Sequence, residues 1–120
     1  MTIALKRIYE PASKSDGMRI LVDRIWPRGI KKDDAKIDLW LRDVAPSTAL
    51  RQWFGHKPER WEEFRERYRA ELSKNEAVVQ LRQLSKKEKH VTLLYAAHDE
   101  EHNQAVVLAE LLEGRKRSTG

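Results

Sequence analysis

Residues 18–29 decide the fold, and they are Met18-Arg19-Ile20-Leu21-Val22-Asp23-Arg24-Ile25-Trp26-Pro27-Arg28-Gly29. The apolar run of residues 20–22 is too short for a helix of normal length, and its branched side chains are typical of a strand buried on both faces. Directly after this run the sequence turns polar, with a carboxylate, two arginines and a Trp-Pro turn. Because ligands bind beyond the carboxyl ends of strands in open α/β sheets, the stretch predicts a ligand site. Its arginines predict that the ligand is an anion.

The composition narrows the class of protein. The chain has 120 residues, which suffice for one domain with one core. Its formal net charge of +5 favours acidic partners such as phosphates, nucleotides or nucleic acid. Cysteine is absent, which excludes disulfides, a thiol nucleophile and thiolate zinc sites. The start of the chain lacks a signal-peptide core, and no apolar run reaches the roughly 18 residues of a membrane span, so we expect a soluble, cytoplasmic protein.

Four stretches have the apolar patterns of strands. Residues 20–22 and residues 91–97 are the clearest, because both are largely apolar runs bounded by polar residues. Residues 2–10 mix apolar with charged side chains, which predicts a strand near an edge of the sheet. Residues 37–44 fit either a strand or a helical stripe, and we favour the strand because the segment is short and stops at Pro46.

Capping residues mark the boundaries of the helices. Ser47 is a good N-cap for a helix that ends at Gly55. Pro58 is suited to open the next helix at its first turn. Asp99 is predicted to cap a final helix that ends at Gly114.

The alternation of strands and helices predicts an α/β fold. We expect a single small domain over residues 1–114, with a mainly parallel sheet of about four strands covered by helices in a Rossmann-like or rhodanese-like three-layer arrangement. Residues 115–120 are expected to form a disordered basic tail.

The candidate site follows from this topology. If the strands at residues 20–22 and 91–97 are parallel neighbours, their carboxyl ends bring the polar residues that follow them together. The candidate catalytic residues, chosen as groups that can act as acid or base, are Asp23, His98 and Asp99. The candidate ligand-binding residues, which offer charge, hydrogen bonds or a pocket wall, are Arg24, Trp26, Arg28, Ser47, Arg51, His102 and Asn103.

Simpler interpretations of these residues stay open. In one, Asp23 pairs with Arg24 or Arg28 and only holds the Trp-Pro turn. In another, His98 is a turn histidine that bonds to a backbone carbonyl group. His56 fits an anion contact or the start of a helix, and we favour the helix start because Gly-His-Lys-Pro is a complete stop-and-start signal.

A metal site is considered because His98 and His102 are four residues apart with Asp99 between them. The spacing resembles the helical histidine pair of a zinc hydrolase, but the glutamate does not stand where that motif needs it. We therefore predict neither a metal nor a cofactor.

Three separate motifs carry a resemblance to a known family. They are Leu21-Val22-Asp23-Arg24-Ile25-Trp26-Pro27-Arg28-Gly29, then Ala45-Pro46-Ser47 with Leu50-Arg51-Gln52-Trp53-Phe54-Gly55-His56, and then Thr92-Leu93-Leu94-Tyr95-Ala96-Ala97 with Glu101-His102-Asn103. Over residues 5–112 the chain resembles the YeaO-like branch of domain-of-unknown-function family 488, a group of small bacterial proteins. The resemblance implies an α/β domain, a cytoplasmic location and no settled activity.

The chain departs from longer relatives in that wider family at one place. Those relatives carry a Cys-His-Arg triplet in the last strand-helix unit, where this chain has Asn103-Gln104-Ala105. Tyr95 stands where they often have another cysteine. The resemblance therefore implies no thiol or metal chemistry here.

Three functions are compatible with the residues. The first is a small-molecule enzyme or ligand-binding protein that recognises a phosphate- or nucleotide-like anion at the carboxyl ends of the strands. The second is a nucleic-acid-binding accessory or regulatory protein, which the net charge motivates. The third is a protein-interaction module without catalysis. The sequence leaves open whether the protein is an enzyme, and it leaves the oligomeric state open.

Overall fold

The computed structural model describes residues 2–114, which form a four-stranded sheet and five α-helices. In chain order these elements are β1 (Thr2–Arg7), β2 (Met18–Leu21), α1 (Lys32–Ala35), β3 (Leu39–Trp40), α2 (Thr48–Phe54), α3 (Trp61–Leu72), α4 (Glu76–Lys87), β4 (His90–Tyr95) and α5 (Gln104–Glu113). All strand pairs are parallel, in the order β1-β4-β2-β3. The predicted α/β class and parallel sheet are confirmed, and the predicted tail at residues 115–120 lies outside the described residues.

The two clearest predicted strands lie side by side in the middle of the sheet. β2 pairs with β4 in a register that sets Met18 opposite Val91 and Leu21 opposite Leu94. β1 borders β4 at one edge, as its charged side chains predicted, and β3 borders β2 at the other edge. The carboxyl ends of β2 and β4 therefore leave the sheet next to each other.

Both faces of the central strands are covered. On one face Ile20, Val22 and Leu93 belong to the larger core, together with apolar side chains of α2, α3, α4 and α5. On the other face Leu21 and Leu94 pack with Ala35 of α1 and with the two tryptophans that flank that helix in the chain. Burial on both faces explains why these strands are apolar runs rather than alternating ones.

Two of the helices on the larger core, α3 and α5, are joined by buried ion pairs. Glu110 of α5 is completely buried, and its carboxylate lies 3.0 Å from the Arg65 guanidinium and 3.5 Å from that of Arg69. A charge this deep is tolerated only when it is paired, because its desolvation is costly. The ion pairs therefore tie α5 to α3 beside the sheet.

The structure corrects two local predictions. Residues 37–44 are a strand only at Leu39–Trp40, and the chain then tightens into a 3-10 turn at Arg42–Val44. The last helix begins at Gln104 and its N-cap is Asn103, not Asp99. The side chain of Asp99 instead accepts hydrogen bonds from the backbone of the turn that precedes this helix.

Within residues 2–114, no helix combines the length and the apolar character that crossing a lipid bilayer requires.

A pair of glycine substitutions tests the packing at the start of β2. Gly17 has φ +64°, and a Cβ there would lie 2.3 Å from the carbonyl oxygen of His90, whereas Gly29 has φ +79° with open space around it. Gly29→Ala meets only the backbone penalty, about 1 kcal/mol in the free energy of unfolding. Gly17→Ala adds a clash with backbone, so we expect a loss of about 3 kcal/mol or more. Urea unfolding measures the free energy of unfolding of both variants. Equal losses in the two would contradict the close approach of Gly17 to His90.

Candidate ligand-binding cleft

A cleft of about 660 Å³ opens at the carboxyl ends of β2 and β4. Its walls are the loop that follows β2, the loop that follows β4, the start of α5 and parts of α2 and α3, with Tyr9 from the segment after β1. The two polar clusters predicted from the sequence thus line one cleft. Such a volume is typical of small-molecule sites.

Asp23 joins the two loops. One of its carboxylate oxygens accepts a hydrogen bond of 3.0 Å from the backbone N–H of Ala96, just after β4. The other oxygen accepts a hydrogen bond from the side-chain amide of Gln104 at the start of α5. Asp23 is therefore tied to the β4 side of the cleft, and the interpretation in which it pairs with Arg24 or Arg28 is wrong.

Burial changes the protonation of this carboxyl group. Asp23 is largely removed from solvent, and burial raises its pKa to about 6. The two hydrogen bonds and the positive charge of Arg51 act in the opposite direction without cancelling the effect of burial. Near neutral pH the group therefore titrates more readily than an ordinary aspartate.

The arginines of the loop after β2 have different roles. Arg24 donates from Nη2 to the carbonyl oxygen of Ala45 at 3.0 Å and from Nε to that of Pro46 at 3.2 Å. It therefore fastens the cleft wall to the segment that precedes α2. Arg28 is exposed at the cleft, and among the described residues its guanidinium has no hydrogen-bond partner. Arg51 of α2 is a second exposed cation on the same cleft.

Trp26 forms part of the wall, as predicted. Its indole N–H donates to the carbonyl oxygen of Ile30 at 2.7 Å, which closes the Trp-Pro turn. Its ring packs edge-on against Trp40, with the centroids 5.3 Å apart, and the Trp40 N–H in turn donates to the backbone oxygen of Asp23. The loop is therefore held by side chains within it and beside it.

The loop after β4 contains an aspartate-histidine pair. The Nδ1 atom of His102 lies 2.8 Å from the carboxylate of Asp99, and the same carboxylate accepts the backbone N–H groups of Glu101 and His102. Burial raises the pKa of Asp99, but these hydrogen bonds outweigh it and hold the pKa below its ordinary value. The His102 ring is further held edge-on against Trp61, at 5.2 Å. Asp99 is thus a carboxylate whose charged form is stabilised by hydrogen bonds from its own loop.

Two more predicted residues follow β4. The side chain of Asn103 is fully engaged, because its oxygen accepts the N–H of Val106 and its amide nitrogen donates to the backbone oxygen of Asp99. His98 is exposed on the cleft, with its Nδ1 atom 3.5 Å from the guanidinium of Arg7. Asn103 is therefore a structural cap, whereas His98 is open to a ligand.

Ser47 does not line the cleft. Its hydroxyl donates to Glu71 at 2.6 Å and accepts the N–H of Leu50, as expected of an N-cap. Its backbone N–H also donates to the Glu71 carboxylate, at 2.9 Å. A carboxylate of the chain itself thus satisfies the start of α2, so the expected contact between Ser47 and a ligand has no support from its position.

Sequence reasoning missed Arg7, which fastens the loop after β4. Its Nε atom donates to the carbonyl oxygen of Ala97 at 2.9 Å, and Nη2 donates to that of Ala96 at 3.1 Å. The parallel register that sets Arg7 opposite Tyr95 brings the guanidinium to these carbonyl groups. The sequence does show a basic residue at the carboxyl end of a predicted edge strand. That residue can be assigned to the loop after β4 only when the order of the strands is known.

His56 is a second residue whose position the sequence did not settle. It lies on the cleft and has φ +57°, directly after Gly55, which also has a positive φ. A left-handed backbone is unusual for a residue other than glycine and often accompanies functional sites. The preferred interpretation as a helix start is also correct, because a 3-10 turn at Pro58–Arg60 leads into α3.

Within residues 2–114, no three side chains of histidine, aspartate or glutamate are grouped so that they could hold a metal ion.

Comparison with known proteins identifies close relatives. A family model described as the inactive DUF488-N3 subclade matches residues 2–119. The chain is 48% identical to the uncharacterized protein YeaO of Escherichia coli. The alignment spans 113 residues, which are 93% of this chain and 97% of YeaO. It is 46% identical to an uncharacterized protein of Mycobacterium tuberculosis, in an alignment of 113 residues that spans 94% of this chain and 95% of the relative. No solved structure matches the chain.

The buried carboxyl group of Asp23 makes stability depend on pH. Its pKa is about 6 in the folded chain against an ordinary value of 3.8, so between these values the folded state holds a proton that the unfolded state has lost. This group therefore lowers the free energy of unfolding as the pH rises from about 4 to 6. Asn cannot lose a proton, so relative to wild type Asp23→Asn should gain up to about 3 kcal/mol across that window. Chemical unfolding of both proteins at several pH values measures the difference, and a difference that stays constant from about pH 4 to 7 would contradict the burial of this carboxyl.

Proposed function

The chain belongs to domain-of-unknown-function family 488, in the branch described as the inactive DUF488-N3 subclade, and we propose that it binds a small organic anion in this cleft without converting it. The proposal makes the protein a ligand-binding protein rather than an enzyme. We expect it to act in the cytoplasm.

The observation that carries the proposal is the charge of the cleft. Arg28 and Arg51 come from different elements, and both present exposed guanidinium groups to the same cleft. The two carboxylates nearby are held by other groups, since Asp99 accepts hydrogen bonds from Glu101 and His102 and Asp23 accepts them from Ala96 and Gln104. A cleft with this balance attracts anions, and a guanidinium binds carboxylate or phosphate through paired hydrogen bonds.

The absence of conversion rests on the state of the reactive groups. The chain has no cysteine, so it lacks the thiol that covalent chemistry of that kind needs. The carboxylate of Asp23 accepts hydrogen bonds from the backbone of Ala96 and the side chain of Gln104, and the side chain of Asn103 caps α5. In this proposal Asp23 and Asp99 shape the cleft, and the catalytic roles predicted from the sequence for these two residues and His98 belong to the alternative in which the protein is an enzyme.

Removing one free guanidinium tests the proposal. Arg28→Ala deletes an exposed side chain, so the fold should survive, but it removes a charged hydrogen bond worth about 1.5–3 kcal/mol to a bound anion. We therefore expect at least about a tenfold loss of affinity for phenyl phosphate or benzoate, as measured by isothermal titration calorimetry.

Lys86→Ala is the matched control, because it removes one exposed positive charge from the end of α4, outside the cleft. Affinity should be unchanged in this variant. If neither anion binds, or if both variants lose the same affinity, the proposed function is wrong.

A further inference from the structure

The cleft is much larger than a simple anion requires. Its volume is about 660 Å³. A water molecule occupies only about 30 Å³ in the liquid, and inorganic phosphate or acetate is a few times larger. A ligand anion held by the free guanidinium groups would therefore fill only part of the cleft, and the rest has room for a larger body.

The walls around that remaining space are apolar. The rings of Phe54 and Phe64, with centroids 4.4 Å apart, belong to the larger core and form the floor of the cleft from α2 and α3. Three large hydrophobic side chains are exposed within residues 2–114, namely Tyr9, Ile25 and Val79, and the first two line this same cleft. Exposed apolar side chains that gather at a concave site mark surface that a ligand covers.

Many polar side chains of the cleft walls already have hydrogen-bond partners within the chain. The side chain of Asn103 makes two internal hydrogen bonds, Asp23 makes two, and Asp99 makes three. The hydroxyl groups of a sugar need partners when they are buried, and without them they lose free energy relative to water. A body rich in hydroxyl groups is therefore poorly matched to these walls.

We propose that the ligand is an amphipathic anion: a carboxylate or phosphate group carried on a ring-sized apolar body, with the anion at Arg28 and Arg51 and the body between Ile25 and the phenylalanine pair. This inference rests on the proposed function and names its ligand class. It excludes sugar phosphates as the preferred ligands.

Titration calorimetry with matched small probes tests the ligand class at constant pH and ionic strength. Benzoate should bind at least about tenfold more tightly than acetate, because burial of the ring adds to the same carboxylate contact. Phenyl phosphate should bind more tightly than glucose 6-phosphate by a similar factor. Benzyl alcohol, which has the ring without the charge, should bind more weakly than benzoate.

Two substitutions on exposed side chains locate the apolar contact. Ile25 is 58% exposed and Val79 is 56% exposed, so neither change should unfold the protein, and melting temperatures verify this. Ile25→Ala should weaken benzoate about three- to fivefold and leave acetate unchanged, because only the ring reaches this side chain. Val79→Ala, on α4 outside the cleft, should change neither the affinity for benzoate nor that for acetate.

The outcomes separate this inference from the function on which it rests. Equal affinities for acetate and benzoate, both lost in Arg28→Ala, would overturn the apolar ligand class and leave anion binding in place. Equal effects of Ile25→Ala and Val79→Ala on benzoate would also overturn it. No binding of any charged probe would overturn both proposals.

Discussion

The parallel pairing of β2 with β4 positions both loops that line the cleft. These strands come from opposite ends of the chain, and their pairing sets the two polar loops beside each other. The backbone N–H of Val22 extends the pairing to Leu94 at 3.1 Å, and the carboxylate of Asp23 then reaches the N–H of Ala96. A side chain thus continues the contact where the strands separate. Burial of that carboxyl raises its pKa, although the hydrogen bond from Ala96 acts in the opposite direction.

The arginines around the cleft divide into those that hold the walls and those that face a ligand. Arg7 and Arg24 donate to backbone carbonyl groups, so each fixes one loop without help from a ligand. Arg28 and Arg51 remain exposed. Walls that are fixed in advance reduce the ordering cost of binding, which favours affinity for a small partner. The buried contact between Arg65 and Glu110 ties α5, whose start lines the cleft, to α3.

The sequence was sufficient for the parts of the fold that local physics controls. The apolar runs predicted the central strands, and a serine N-cap and a glycine predicted both ends of α2. It was insufficient at two places. Asn103 caps α5 because Asp99 accepts hydrogen bonds from the backbone of its own turn, and residues 37–44 combine a short strand with a tight turn. The site could be placed at two strand ends, but which arginine is free depends on the carbonyl groups that the folded chain brings to Arg24.

Mapping of backbone amide chemical shifts by NMR during titration with benzoate tests whether the carboxyl ends of β2 and β4 form one binding cleft. The largest changes are expected at Ile25, Arg28 and His98 and at the start of α5, with α4 unaffected. Changes centred on α4, or none at saturating benzoate, would contradict a binding cleft at these strand ends.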